Sequence, residues 1–408
     1  MRRKMLWAAV IGAVIVVAGL VVVAYPSGRQ SDAQKADTKA AQPITTADLG
    51  GTGPGTLVSA VTMPGFSRTA RGALLRSARV VYRSTDGDTG APTVVSGAVF
   101  TPSGTPPPGG WRVISYGHGT LGIDQPCAPS LSPTLLSNID WVSKLVDDGY
   151  AVAMADYQGL GAAGIHPYLD ARTAGRNIID AVRALRHTFS DVSGHWAALG
   201  GSQGGGAVWA AGEQAVTYAP DMPPVGVVAL APAADVVGLV DLAQQHKLTT
   251  DQISPWVLIV ETLARLHPDV NRDDYRRGLA ADKWDVLSAC NGDKVHEHES
   301  VVARLQPGDV APSTPQAAAR LRGYLKAWAL PQQRLGAPMA VVFGGKDEYI
   351  DPGWTRAAIR RACDLGGVVV ADFQPDKGHG DLEISAQFDW LTERFVGTPV
   401  SGGCAPQP

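Results

Sequence analysis

The fold is decided by the stretch Trp196-Ala197-Ala198-Leu199-Gly200-Gly201-Ser202-Gln203-Gly204. It consists of a short apolar strand and a glycine-rich turn, and a helical segment follows at 205–218. A G-x-S-x-G sequence between a strand and a helix presents its serine on a sharp turn. The N-terminus of the helix favours negative charge beside that serine. The pattern predicts that Ser202 is a nucleophile; the alternative is a glycine-rich turn without a chemical role.

The alternation of strands and helices extends on both sides of this stretch. Short apolar runs predict strands, and longer amphipathic runs predict helices. Strands that alternate with helices form a mostly parallel sheet with helices on both faces, so the predicted fold class is α/β. The predicted strands are 78–82, 93–100, 113–116, 151–155, 196–199, 225–230, 339–343 and 368–373, and the main helices are 171–188, 205–218, 354–363 and 382–395.

One segment, at about 234–335, contains no strand candidate but has helical patches at 257–266 and 317–329. About 100 residues is too long for a structureless loop in a compact domain. The segment is therefore predicted to be an inserted helical cap. The catalytic domain as a whole is predicted to span residues 56–404.

The N-terminus predicts export. Arg2, Arg3 and Lys4 precede about 20 apolar residues, which is enough to span a bilayer. Residues 1–25 therefore predict a membrane anchor, with a cleaved signal peptide as the alternative, and either places the domain outside the cytoplasm. Residues 26–55 are rich in small residues and predict a flexible linker.

Composition and two misleading motifs limit the partners. A net charge of −3, without a basic stripe, argues against nucleic acid. The G-x-G-x-x-G sequence at 117–122 is followed by loop residues, so no nucleotide cofactor is predicted. His296 and His298 are two positions apart and do not share a helix face, so we expect a solvated segment and no metal.

A serine hydroxyl needs a base, and the base needs an orienting acid. With this type of turn, the acid and the base follow the serine in the order Asp or Glu, then His. His379 comes after the last predicted strand and before the last helix, where a base is expected. The acid is expected after 339–343, where Asp347 is the first choice and Asp351 and Glu348 are alternatives.

The oxyanion of the reaction needs backbone N–H donors. The residue after the nucleophile, Gln203, supplies one. The loop after strand 113–116 is expected to supply the other, from Gly119 or Thr120. His118 in this loop either takes part in catalysis or, as we favour, shapes the loop.

These motifs together resemble the secretory lipases, which are α/β-hydrolases. The resemblance covers roughly residues 55–404 and implies the triad Ser202, Asp347 and His379 beneath a helical lid. The matching stretches are Tyr116-Gly117-His118-Gly119-Thr120, Ala155-Asp156-Tyr157-Gln158-Gly159-Leu160-Gly161, His166-Pro167-Tyr168, Gly200-Gly201-Ser202-Gln203-Gly204-Gly205, Gly344-Gly345-Lys346-Asp347 and Gly378-His379.

Four cysteines in an exported chain suggest two disulfides, and the count alone allows three pairings. The resemblance implies the pairs Cys127–Cys290 and Cys363–Cys404.

The expected activity is hydrolysis of acyl esters or lipids. The alternatives are a serine peptidase or acyltransferase of the same fold, and a non-catalytic surface protein. The insert is rich in charge, as in Asn271-Arg272-Asp273-Asp274-Tyr275-Arg276-Arg277, whereas a lid that opens on oil exposes an apolar patch. We therefore expect short to medium acyl chains; the oligomeric state is left open.

Overall fold

The computed structural model describes residues 40–290, 292–401 and 403–404. The predicted anchor at residues 1–25, and the linker as far as residue 39, lie outside the described residues. Within the described part, no helix has the length and apolar character needed to cross a membrane.

Within the residues that the structure describes, nine strands form a single sheet. Strands β4 to β9 run parallel to one another, whereas β1, β2, β3 and β5 pair antiparallel in that order. The order across the sheet is β1-β2-β3-β5-β4-β6-β7-β8-β9. The strands are β1 Leu57–Val61, β2 Arg76–Thr85, β3 Pro92–Thr101, β4 Trp111–Gly117, β5 Ala151–Ala155, β6 Val192–Gly201, β7 Val227–Leu230, β8 Met339–Gly344 and β9 Val369–Gln374. The predicted fold, a mostly parallel sheet, is confirmed; β1 was not predicted.

Helices cover both faces of the sheet. The α-helices are α1 Pro64–Ser67, α2 Ile139–Asp147, α3 Ala171–Thr188, α4 Gln203–Tyr218, α5 Gly238–Gln244, α6 Thr250–Leu266, α7 Gly278–Asp282, α8 Trp284–Leu287, α9 Asp293–Val302, α10 Pro315–Trp328, α11 Pro352–Asp364 and α12 Ser385–Phe395. Short 3₁₀ helices lie at Gly72–Leu74, Gln125–Cys127, Pro129–Leu131, Leu135–Ser137 and Arg272–Asp274.

Strand alternation divides the core into two layers. Side chains such as Val113 and Ala198 pack with α3, α4 and α11. Their neighbours Ile114 and Ala197 point to the other face and pack with α2 and α12. The parallel strands β4 to β8 are therefore buried on both sides over most of their length, which explains their continuous apolar sequences.

The cap, residues 234–335, lies between β7 and β8 and contains α5 to α10. Its own apolar core includes Trp256, Ile259 and Leu321, all buried. The predicted helical insertion is confirmed. The segment predicted to be solvated is exposed at His296, Glu297 and Glu299, but the prediction was wrong for His298. That histidine is buried on α9, with its Nε2 3.2 Å from the Ser254 hydroxyl of α6.

Residues 40–55, the second half of the expected linker, lie against the domain. The Ile44 N–H donates to the Ala60 carbonyl at 2.9 Å, and the Asp48 N–H donates to the His187 carbonyl at 2.8 Å. The folded domain therefore includes residues before position 56, where we expected it to start.

Both disulfides have the expected partners, Cys127 with Cys290 and Cys363 with Cys404. The first joins the loop after β4 to the cap. The second joins the end of α11 to the C-terminal segment, where the Cys404 N–H also donates to the Val369 carbonyl of β9.

Candidate active site

Ser202 is the single residue between β6 and α4, and its backbone is strained. Its φ of 57° and ψ of −120° lie in a region that side chains other than glycine rarely adopt. The turn is held because the Ser202 N–H donates to the Leu230 carbonyl of β7 at 2.9 Å. The Ser202 carbonyl accepts from the Gly206 and Ala233 N–H groups at 3.1 and 3.0 Å. These bonds keep the serine at the tip of the turn.

The glycines of the motif allow the helix to approach the strands. A Cβ at Gly204 would lie 2.0 Å from the Gly117 carbonyl oxygen of β4, and one at Gly200 would lie 2.5 Å from the Gly204 carbonyl. Any larger residue would push α4 away from the sheet. The geometry of the turn therefore depends on these two positions being glycine.

Asp347 and His379 form a buried pair. The distance between Nδ1 of His379 and Oδ2 of Asp347 is 2.7 Å, and the side chains are 10 % and 2 % exposed. Because a carboxylate only accepts hydrogen bonds, Nδ1 carries the proton and Nε2 is left as an acceptor. The imidazole is therefore held in the tautomer that a general base requires.

Asp347 is itself held by its loop. Its Oδ1 accepts the backbone N–H groups of Tyr349 and Ile350, both at 2.9 Å. The other acids considered for this role do not reach His379 by a hydrogen bond: Asp351 caps α11 by accepting from the Gly353 N–H at 2.6 Å, and the side chain of Glu348 is exposed.

The strand order brings the three predicted residues to one edge of the sheet. Ser202 follows β6, Asp347 follows β8 and His379 follows β9. These parallel strands, with β7 between β6 and β8, are in register near their ends, where Gly201 pairs with Leu230, Leu230 with Val342 and Gly344 with Gln374. The carboxyl ends of parallel strands are where such folds bind their ligands.

The cap reaches the loop of the acid. The Thr249 hydroxyl at the start of α6 donates to the Glu348 carbonyl at 2.9 Å, and the Gln252 side chain donates to the Tyr349 carbonyl at 3.2 Å. Burial raises the pKa of Asp251, which is also close enough to His379 and Asp347 to interact electrostatically. The N-terminal turn of α6 therefore borders the site.

The expected oxyanion donors lie on either side of the Ser202 turn. Gln203 is the first residue of α4, where backbone N–H groups have no acceptor within the helix. A Cβ at Gly119 would lie 3.9 Å from the Cβ of Ser202, so the loop after β4 passes beside that serine. The Thr120 hydroxyl is 2.8 Å from the hydroxyl of Tyr168.

Aromatic rings beneath these donors were not predicted as a group. The His118 ring is tilted by 42° against the Tyr157 ring at a centroid distance of 4.4 Å, and the Tyr157 ring is nearly parallel to that of His166 at 6.1 Å. Nδ1 of His118 is 2.7 Å from the Gly119 carbonyl, and the Tyr157 hydroxyl donates to the His118 carbonyl at 3.0 Å. His118 therefore shapes the loop, as favoured from the sequence.

Burial favours the neutral forms of His118 and His166. Burial lowers the pKa of His118, and it lowers the pKa of His166 from 6.5 to about 4. Beside them, burial raises the pKa of the Asp156 carboxyl, which accepts hydrogen bonds from the Ser96 and Ser130 hydroxyls at 2.5 Å. These rings therefore place no positive charge beside the loop that contains Gly119 and Thr120.

The sheet, its cap and the serine turn are those of the α/β-hydrolase fold. The model of the secretory lipase family matches residues 129–281, which confirms the resemblance drawn from the motifs. This region contains Ser202 and His166 but neither Asp347 nor His379.

Several known proteins are similar to the chain. A curated relative named probable trichothecene esterase, from Stachybotrys chartarum, is 27 % identical over 262 residues, which are 60 % of this chain and 50 % of the relative. The match thus spans about half the length of that relative. Candida antarctica lipase A superposes with a TM-score of 0.70 at 19 % identity, covering 90 % of this chain and 89 % of the lipase.

The rice cell wall degrading esterase LipA from Xanthomonas oryzae superposes with a TM-score of 0.65 at 19 % identity, covering 85 % of this chain and 97 % of the esterase. At such identities the two solved structures establish the fold, and the activity has to be argued from the site.

Proposed function

We propose that this protein is a serine carboxylic-ester hydrolase that acts outside the cytoplasm through an acyl-enzyme intermediate. Ser202 is the nucleophile, His379 the general base and Asp347 the acid that orients the histidine. The observation that carries the proposal is the strained Ser202 turn on the same sheet edge as the buried Asp347–His379 pair.

In the first half-reaction, Oγ of Ser202 bonds to the carbonyl carbon of the ester while Nε2 of His379 takes the hydroxyl proton. The carbonyl π bond breaks and its electron pair moves to oxygen, which becomes the oxyanion. When the oxyanion collapses, the bond to the alcohol oxygen breaks and the imidazolium gives that oxygen its proton. Asp347 stabilises the imidazolium while it exists.

In the second half-reaction, water takes the place of the alcohol. His379 removes a proton from the water, and the resulting hydroxide attacks the acyl carbon. Collapse of the second tetrahedral intermediate releases the acid and returns the proton to Ser202.

The oxyanion is stabilised by the backbone N–H of Gln203 and by that of Gly119 or Thr120. In related chemistry, loss of one such donor reduces kcat by about 10²–10³. The helix that begins at Gln203 adds a favourable dipole at the same point.

Two observations support the substrate class and the compartment. The relatives with esterase or lipase in their names favour acyl esters over amides. Two disulfides fit an oxidising compartment, since they rarely persist in the cytosol.

The test compares the wild type with Ser202→Ala on a soluble activated ester. Activity should fall by several orders of magnitude in the variant while the circular dichroism spectrum and Tm stay close to those of the wild type. A phosphonate ester should label Ser202 in the wild type. Labelling at another residue, or near-normal activity in Ser202→Ala, would rule out the proposal.

A further inference from the structure

His166 contacts the predicted oxyanion donor directly. Nε2 of His166 lies 3.0 Å from the side-chain nitrogen Nε2 of Gln203, and both side chains are buried. The other ring nitrogen, Nδ1, lies 2.8 Å from the Gln158 carbonyl. Since a carbonyl only accepts, Nδ1 carries the proton, and Nε2 is the acceptor for the Gln203 amide.

This arrangement fixes the glutamine at the start of α4. The remaining end of its amide, Oε1, is buried without a hydrogen-bond partner among the described residues. A buried amide with one end unpaired is destabilising, so packing alone would favour an apolar residue here. The hydrogen bond to His166 is the specific gain that the glutamine provides.

His166 is held rigidly enough to act as a support. Its ring lies between those of Tyr157 and Tyr168, each with a centroid distance of 6.1 Å. Its carbonyl accepts from the Thr262 hydroxyl of α6 at 3.3 Å. The segment that contains His166 is thus fixed by the core on one side and by the cap on the other.

We propose that His166 is a positioning residue for the oxyanion hole: by accepting from the Gln203 side chain, it fixes the direction of the Gln203 backbone N–H. The side chain and the backbone N–H both belong to Gln203, the first residue of α4. If the side chain can move, the backbone N–H can turn away from the oxyanion. This inference rests on the proposed ester hydrolysis and assigns a role to a residue outside the triad.

The experiment measures kcat and KM on one soluble ester for His166→Leu, His166→Gln, Gln203→Leu and the double variant His166→Leu/Gln203→Leu. Leucine at either position removes the hydrogen bond but keeps the backbone N–H. We expect kcat to fall about tenfold with little change in KM, because an oxyanion donor acts mainly in the transition state. A glutamine at 166 retains an acceptor and should recover part of the loss.

The double variant provides the sharpest comparison. If the two residues act through one bond, its kcat should match that of the single variants and not the product of their losses. Gln214→Leu removes another buried amide from α4, far from Ser202, and controls for general damage to that helix.

The proposal is overturned if the losses multiply, if KM changes in place of kcat, or if only Tm falls. Should His166→Leu fail to fold, the expected fall in kcat is judged on Gln203→Leu, in which the histidine is intact. The failure of this inference is separable from that of the proposed function: an active wild type that is labelled at Ser202, with unaffected kcat in these variants, refutes the positioning role alone.

Discussion

Asp347→Asn tests how the loop of the acid controls the histidine. The variant side chain has one oxygen and one NH₂ group. The two N–H groups of Tyr349 and Ile350 require an oxygen at the position of Oδ1. The NH₂ group is then directed at Nδ1 of His379 and forces the proton onto Nε2, where it prevents the ring from accepting the serine proton.

The size of the effect follows from the same contacts. If the asparagine amide were flipped, its oxygen would face Nδ1 of His379 and the ring would keep its original tautomer. The NH₂ group would then face the Tyr349 and Ile350 N–H groups and leave both without an acceptor, at about 1–3 kcal/mol each. A penalty of about 2–6 kcal/mol corresponds to a loss of about 30-fold to 10⁴-fold, at 1.36 kcal/mol per factor of ten.

The assay is kcat on a soluble ester, with Asp351→Asn as the matched control. Asp351 only caps α11, and asparagine is an equally good cap, so kcat should change less than about twofold. Both variants should fold, because the turn at Asp347 keeps its oxygen acceptor. The reasoning is refuted if Asp347→Asn retains clearly more than about a thirtieth of the wild-type kcat, or if the control loses as much as the variant.

Three further predictions concern stability and specificity. Replacing Cys127 and Cys290, which are 163 positions apart, by serine should lower the unfolding free energy by up to about 5 kcal/mol, because the disulfide restricts a long loop of the unfolded chain. For Cys363 and Cys404, 41 positions apart, the loss should be about 4 kcal/mol, and equal losses in denaturant melts would contradict a dependence on loop length. Burial raises the pKa of Glu213 from 4.5 to about 7, so its protonated form stabilises the fold below pH 4.5, and that stability is lost as pH rises through 7. Glutamine at this position stays neutral, so in denaturant melts the unfolding free energy of Glu213→Gln relative to the wild type should increase by about 3 kcal/mol between pH 4.5 and pH 8. A difference that does not depend on pH would be inconsistent with this. The charged cap predicts that kcat/KM peaks at short to medium acyl chains without a rate jump at the solubility limit; a sharp jump on emulsified long-chain glycerides would identify a lipase that acts at oil surfaces.

Features set by local pattern could be predicted from the sequence. The parallel strands are continuous apolar runs because both faces are buried, and the glycines around Ser202 mark the sharp turn. The order of strands then places Asp347 and His379 on the correct edge. Strand β1, Leu57–Val61, escaped prediction because it is short and its burial alternates imperfectly.

Features that depend on contacts distant in sequence could not be predicted. Gln203 and His166 are 37 positions apart, and nothing in either motif indicates that one accepts from the other. The burial of His298 likewise depends on the packing of α9 against α6. The charged residues next to His298 in the sequence predict an exposed segment and give no sign of this packing. Residues 40–55 are held against the domain by backbone hydrogen bonds, which amino-acid composition cannot predict.

The disulfide between Cys127 and Cys290 also determines how the cap can move. The polypeptide joins the cap to β7 and β8, which lie on one side of β6, whereas the disulfide joins it to the loop after β4, on the other side. A cover fastened along one side can swing open as a rigid flap, but a cover fastened on both sides can only bend or let its helices slide. Reduction of this bond would therefore change the kind of opening available above Ser202, from internal deformation to rotation about a single edge.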